Sequence, residues 1–483
     1  CLVLGGCGGA YNGDGAHGVP RPSYPEIFAP DLAEDGNNYV HDNIVEQDFT
    51  SVAQSASSYF SLDRNTASYS QVRTQINDKK KVDASGVRIE EMINYFDYNF
   101  PAPEDKAVSV STYLTSCPWN ADSKLMLAGI KTTEMVWEGN ANYVFLIDVS
   151  GSMTGDNRLT LAKKGLYMLL DQLGEKDVVS VVTYASGVNT VVDGGECSKD
   201  GKEIIRNKIS GLVASGYTSG GDGLERAYRI AQDHFITGGN NRVIMISDGD
   251  FNAGLTEKDG LKEFIQQKAK SGIYLSAIGV GMGNMRDDLM QTLAINGNGN
   301  YAYLDNVNEA RKVFVDELMG TLFTVAKDAK AGVTFTDAVE KYRLVGYDAK
   351  MISEDDFNND KTDTGEIGSN LCVTALYEIQ LAEGADGKIA DVEVRYKDVN
   401  NQETNESVKS EVTVDTPSST DLAFITCVAE FGLILRNSAY KGTGTLSSVL
   451  ARLDGLTSYM ANDTYKQEFV TLVTKASESK FYN

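Results

Sequence analysis

The chain has 483 residues, with 68 acidic and 44 basic side chains, a net charge of −24 and a pI near 4.6. That balance argues against a nucleic-acid binder, which normally carries a basic footprint for phosphates, and against unaided adhesion to anionic lipid. A hydrophobic content of 42% is enough for real cores, and no run of about 18 apolar residues is present to make a transmembrane helix. The length suggests about three domains. None of the six cysteines forms a CxxC pair; Cys117, Cys197, Cys372 and Cys427 read as free thiols.

Residues 1–7 end in Leu4-Gly5-Gly6-Cys7, an apolar stretch followed by small residues and a cysteine. This reads as the end of a bacterial lipoprotein signal, with Cys7 as the acylated anchor and Cys1 as a rival acceptor. A buried apolar terminal strand is the alternative. Residues 8–48 are rich in Gly, Pro, Asp and Asn without apolar periodicity, as expected of a flexible tether. The implied location is the bacterial cell envelope, on the periplasmic side or the cell surface.

Residues 49–139 read as an α+β region. Ser58 to Leu62 alternates like a strand, Ala67 to Ile76 and Val87 to Phe96 have helical spacing, and Val108–Tyr113 and Lys124–Lys131 read as strands around the Cys117-Pro-Trp-Asn120 turn.

Residues 140–324 change character. Tyr143 to Ile147 is a continuous apolar run, as in a strand buried on both faces of a parallel sheet. Leu159 to Leu173 follows at helical spacing; Val178–Tyr184 reads as a strand and Val188–Val192 as its hairpin partner. Helices are expected over 202–212, 221–235, 257–270, 286–293 and 308–321, alternating with strands at 243–246, 273–278 and 301–304. Alternating strands and helices predict a doubly wound, Rossmann-like α/β domain with a mostly parallel sheet.

Residues 325–416 return to β patterns at 333–336, 342–347, 373–381, 389–396 and 407–414, as in a sandwich. Strands on either side of the α/β domain are too few alone to bury a sandwich core, so that domain is expected to be inserted in the β-rich one. Residues 417–483 read as helical. Ser418 to Asp421 offers N-caps for a helix apolar almost all round, too short to span a bilayer; two more helices follow over 446–453 and 466–477. The 24 tyrosines are expected on sandwich surfaces.

The informative residues are Asp148-Val-Ser150-Gly-Ser152, directly after the first central strand. Doubly wound sheets bind ligands outside the carboxyl ends of their strands. Thr218 opens a later helix and Asp248 ends another strand, so topology brings two carboxylates and three hydroxyls to one rim. Hard oxygens, mostly neutral, suit Mg²⁺, which keeps several waters.

This series resembles the metal-ion-dependent adhesion site of von Willebrand factor type A domains. Arg88-Ile-Glu-Glu-Met-Ile-Asn-Tyr-Phe-Asp-Tyr98, Cys117-Pro-Trp-Asn120, Gly281-Met-Gly-Asn284, Gly297-Asn-Gly-Asn-Tyr-Ala-Tyr303 and Glu354-Asp-Asp-Phe-Asn-Asn359 are similar to the bacterial YfbK-type family, with likeness from about residue 50 to the end. Ser61 to Thr66 departs from the family's usual acidic turn. The resemblance implies that Ser150, Ser152 and Thr218 bind the metal through hydroxyls, while Asp148 and Asp248 act largely through waters or through hydrogen bonds to the groups around it. The cation would be Mg²⁺, with Mn²⁺ or Ca²⁺ as alternatives. Such a site binds rather than turns over: it takes an Asp or Glu carboxylate of a protein partner, which the chain's own charge would otherwise repel. A structural envelope scaffold whose metal only staples the rim, and a metal-assisted hydrolase using Asp148 and Asp248, are the competing readings.

Other features point elsewhere. Gly279-Val-Gly281-Met-Gly283 has its third glycine misplaced for a dinucleotide loop, and no P-loop or HExxH is present. His17, His41 and His234 make no triad with a serine. Asp355, Asp356, Asn358, Asp360 and Asp363 lack the EF-hand frame and read as a solvated loop. Asp250 and Asn252 flank the rim and suit either metal tuning or turn chemistry.

Overall fold

The computed structural model describes residues 45–62, 64–135, 139–217, 221–249, 258–281, 287–362, 364–399 and 404–482. The apolar run at Tyr143 forms the strand Ala141–Asp148, buried along its whole length at the centre of a six-stranded sheet. Its order is Tyr301–Leu304, Ile273–Val280, Asn240–Ser247, Ala141–Asp148, Val178–Tyr184, Val188–Glu196; every pairing is parallel except the last. Alternate side chains feed two cores. Tyr143, Phe145 and Ile147 join the helix Leu159–Gln172 on one face, whereas Val144 and Leu146 pack with Leu224 and Tyr228 of the helix Gly221–Asp233 on the other. The expected doubly wound domain is therefore present.

The sequence runs outward in opposite directions from Ala141–Asp148 and Asn240–Ser247, which makes the gap between them the topological switch point. Asp148 closes the first of these strands and Asp248 directly follows the second.

Strands from both sides of this domain pair with each other. Lys124–Thr132 lies between Val108–Ser116 and Cys372–Leu381, and the sheet continues through Val339–Leu344 to the two-residue strand Thr50–Ser51. A second sheet joins Ser57–Ser61 and Gly365–Gly368 to Thr324–Phe335, followed by Lys388–Asp398 and Thr404–Thr413. Met126, Ala128 and Ile130 enter the core shared by the two sheets; Leu125 and Leu127 face a helical layer on the opposite side. That layer centres on Thr420–Arg436, nearly all buried and capped by Ser419 Oγ accepting from Leu422 N at 3.0 Å. Among the described residues, no helix is long and apolar enough to cross a membrane.

Several expectations need correction. Tyrosines fill cores rather than surfaces: Tyr69, Tyr95, Tyr143, Tyr184, Tyr228, Tyr303, Tyr347 and Tyr377 are fully buried. The single helix expected over 308–321 is Val307–Arg311, a π segment Lys312–Asp316, and Leu318–Leu322. Glu317 N donates to Lys312 O at 2.8 Å, and this widened turn lets both side chains join one buried ion cluster. The acidic loop contains a short helix, Glu354–Asn358. Ser353 caps it, Phe357 stacks on Tyr59 with ring centroids 4.8 Å apart, and Asp360 pairs with Arg395 at 2.8 Å. Acidic residues at its first turn suit the positive helix end. Cys117, Cys197, Cys372 and Cys427 are buried free thiols; Cys1, Cys7 and Asp363 lie outside the described residues.

Candidate metal centre

Asp148 is fully buried, and both carboxylate oxygens are engaged by neighbours that fix its orientation. Oδ1 accepts from the Ser150 backbone N–H at 2.8 Å, an Asx-type turn that curls the loop back over the strand end. Oδ2 accepts from Ser247 Oγ at 3.2 Å, and Gly249 N donates to that same hydroxyl at 3.1 Å. Ser247 thus links the two strands of the switch point.

Ser150 Oγ and Ser152 Oγ stand 2.9 Å apart. For bonds near 2.0–2.1 Å, two adjacent ligands of an octahedral Mg²⁺ lie about 2.9 Å from one another. The hydroxyl pair therefore fits one edge of such a coordination shell, as well as a direct hydrogen bond. Burial pushes the Asp148 carboxyl up to about 6; the Ser150 hydroxyl and amide favour its anion, and the nearby Asp248 adds to the rise. Two carboxylates removed from water beside two hydroxyls form a place that gains from a hard cation. Among the described residues no three His, Cys, Asp or Glu side chains converge on a metal position.

The rim is less open than the sequence suggests. Ser152 is half-buried, but Ser150 is only 1% exposed and sits beneath the next loop. Gly151 N donates to Gly216 O at 2.9 Å, and Ser215 N to Val149 O at 2.7 Å. Gly216 has φ +84°, and a Cβ there would meet Ser186 Oγ at 2.6 Å, so only glycine lets this loop settle over the serines. Thr218, Asp250 and Asn252 lie outside the described residues, as do Met282 and Gly283 of the glycine-rich loop. The structure brings together Asp148, Ser150, Ser152 and Asp248 of the expected set.

One contributor went unrecognised in the sequence. Arg158 donates from Nη1 to the Ser152 carbonyl and holds the same nitrogen 3.9 Å from Asp248 Oδ2. A signal for it existed: Arg158 is the N-cap residue of Leu159–Gln172, where the helix dipole disfavours a cation. His234, expected near a helix end, pairs through Nε2 with Asp193 Oδ1 at 2.8 Å, away from this rim.

Three family profiles match the chain. "von Willebrand factor" covers residues 35–127, "von Willebrand factor type A domain" covers 142–316, and "Uncharacterized protein YfbK, C-terminal" covers 320–478. Uncharacterized protein YfbK of Escherichia coli (strain K12) is 35% identical over 431 residues, which span 83% of this chain and 74% of that protein. Inter-alpha-trypsin inhibitor heavy chain H3 of Mesocricetus auratus is 25% identical over 257 residues, 50% of this chain and 29% of its own length. Among solved structures, a von Willebrand factor type A protein from Catenulispora acidiphila covers 89% of this chain and 91% of its own, at 15% identity and a TM-score of 0.40.

Proposed function

The chain belongs to the YfbK family of von Willebrand factor type A domain proteins, and from that membership we propose that it binds a protein partner through a divalent cation at the switch-point rim. The observation that carries this reading is the pair Ser150 Oγ and Ser152 Oγ, 2.9 Å apart beside the buried Asp148. In this reading Ser150, Ser152 and Thr218 hold Mg²⁺ through their hydroxyls, and Asp148 and Asp248 orient waters and loop amides around it. Mn²⁺ or Ca²⁺ would be tolerated in its place. When bound, the cation would offer a water-exchangeable position that favours an Asp or Glu carboxylate of the partner.

The chain's own residues set the terms of that contact. Asp148 accepts from Ser150 N and Ser247 Oγ, which ties it to the loop and leaves neutral hydroxyls to meet the cation, so that the metal's charge stays largely undiminished. Arg158 offsets Asp248, and the net charge of −24 keeps acidic proteins away wherever no cation intervenes. The inter-alpha-trypsin inhibitor heavy chain and calcium-channel subunits among the relatives support a binding role rather than catalysis. We place the protein in the bacterial cell envelope, held to the membrane by lipid on Cys7.

Capture from a bacterial envelope extract tests this reading. Retention of a partner in Mg²⁺, its release by chelator, and its loss when the partner's surface carboxylates are amidated support it; retention unchanged by chelator contradicts it.

A further inference from the structure

The chain-wide negative charge has a local exception far from the metal rim in sequence. Lys79-Lys80-Lys81 is the only run of three basic residues in the chain. It follows the helix Ala67–Asn77, whose end is closed by Lys79 N donating to Ile76 O at 3.0 Å and Lys80 N to Gln75 O at 2.9 Å. Lys79 itself takes the left-handed conformation, φ +57°. The end of the C-terminal helix Thr464–Ser477 lies alongside: Lys475 Nζ donates to Asn77 Oδ1 at 2.7 Å, and Val82 N donates to the Tyr482 hydroxyl at 2.8 Å. Two chain segments some 400 residues apart are thus tied into one turn.

Between them is a cavity of about 550 Å³. Lys79, Lys80, Lys475 and Lys480 line it, against one carboxylate, Glu478; Ile76 and Phe481 supply apolar wall. Four cations and one anion leave a wall charge of +3 in a chain of −24. Helix-dipole compensation accounts for Lys475, in the last turn of its helix, but not for Lys79, Lys80 and Lys480, which lie beyond the helix ends. Lys80 has only Asp78 at 3.6 Å, with both side chains about half exposed, a weak pairing that leaves its charge available.

We infer that this cavity is an anion site that takes a phosphoryl group, with the apolar wall receiving the organic part of a phosphate ester. Ammonium groups act as compact point charges, and a wall charge of +3 suits a doubly charged phosphoryl group better than a singly charged carboxylate. The phosphoryl group comes either free in solution or on a lipid headgroup.

The full chain, kept in chelator so that the metal rim contributes nothing, is titrated with inorganic phosphate and glycerol phosphate by calorimetry. In parallel it is floated with vesicles of phosphatidylcholine alone or mixed with phosphatidylglycerol. Lys79→Gln/Lys480→Gln should weaken whichever binding is seen by about tenfold or more, as loss of charge-assisted contacts does. Lys164→Gln/Lys270→Gln, which removes the same charge from exposed positions on the α/β domain, should leave it unchanged. Binding of the soluble phosphates identifies a free ligand, and binding only to phosphatidylglycerol vesicles identifies a headgroup; either supports the site. No binding to any probe, or equal loss in both double variants, overturns it.

Discussion

Arg158 and Asp248 approach to 3.9 Å across the mouth of the candidate metal centre, while the same guanidinium nitrogen holds the Ser152 carbonyl. One side chain therefore both pins the loop that carries the serines and places a positive charge beside one of the two carboxylates of that centre. The two roles are separable by substitution.

Arg158→Ala should raise Mg²⁺ affinity by about threefold to tenfold at low ionic strength, because a like charge is removed. Arg158→Lys should bind like the wild type. Calorimetry at low and high salt checks this: the gain should shrink as salt screens the charge. A fall in affinity for Arg158→Ala would mean that pinning the loop outweighs the repulsion.

Gly216→Ala should disturb the same loop from the other side. The residue would be forced to keep φ +84° with its Cβ 2.6 Å from Ser186 Oγ, a strain of about 1–3 kcal/mol. Thermal melts should show that loss, and metal affinity should fall with it, since Gly216 O anchors Gly151 N.

Much of this rim was legible in the sequence because two signals coincide there: an unbroken apolar run of the kind a doubly buried strand carries, and small polar residues directly at its end. The burial of Ser150 was not legible, since it depends on Gly216 folding over it from 66 positions away. Thr50–Ser51 has no periodicity to read and is a strand only because Val339–Leu344 lies beside it. Gly365–Gly368, with a glycine at each end, gives no strand signal either. The π segment Lys312–Asp316 carries an ordinary helical pattern; its widening answers a tertiary demand, the burial of Lys312 near Glu317 and Tyr95.

Acid should destabilise the junction between the α/β domain and the helical layer through Glu317. Burial raises its carboxyl, but Arg64, paired bidentately at 2.8 Å on each oxygen, and Lys312 outweigh this and hold it at about 2. A carboxyl depressed in the folded state contributes stability that is present above the unfolded value near 4.5 and lost as pH falls toward 2. Glu317→Gln should cost about 3 kcal/mol at neutral pH, by removing the carboxylate that two buried cations share, and should flatten the acid limb of the stability profile. Denaturant melts across pH 2–6 measure both effects.

Lipid on Cys7 predicts that the protein, expressed with a lipoprotein export signal in a bacterium, partitions into the detergent phase. Cys7→Ser should shift it to the aqueous phase. Continued partitioning of the variant would place the anchor elsewhere, with Cys1 the next candidate.

The cation site stands or falls with Ser150 and Ser152. Replacing both with alanine removes two ligands together, and because their hydroxyls bond each other, neither is left as a buried unpaired group; the stability cost should be about 1 kcal/mol. Titration calorimetry with Mg²⁺ and Mn²⁺ on the wild type and Ser150→Ala/Ser152→Ala is the direct measurement. The wild type should bind one cation, and the double variant should lose about a hundredfold or more in affinity while melting close to the wild type without metal. Equal metal binding by the two proteins would mean that these serines do not hold the cation.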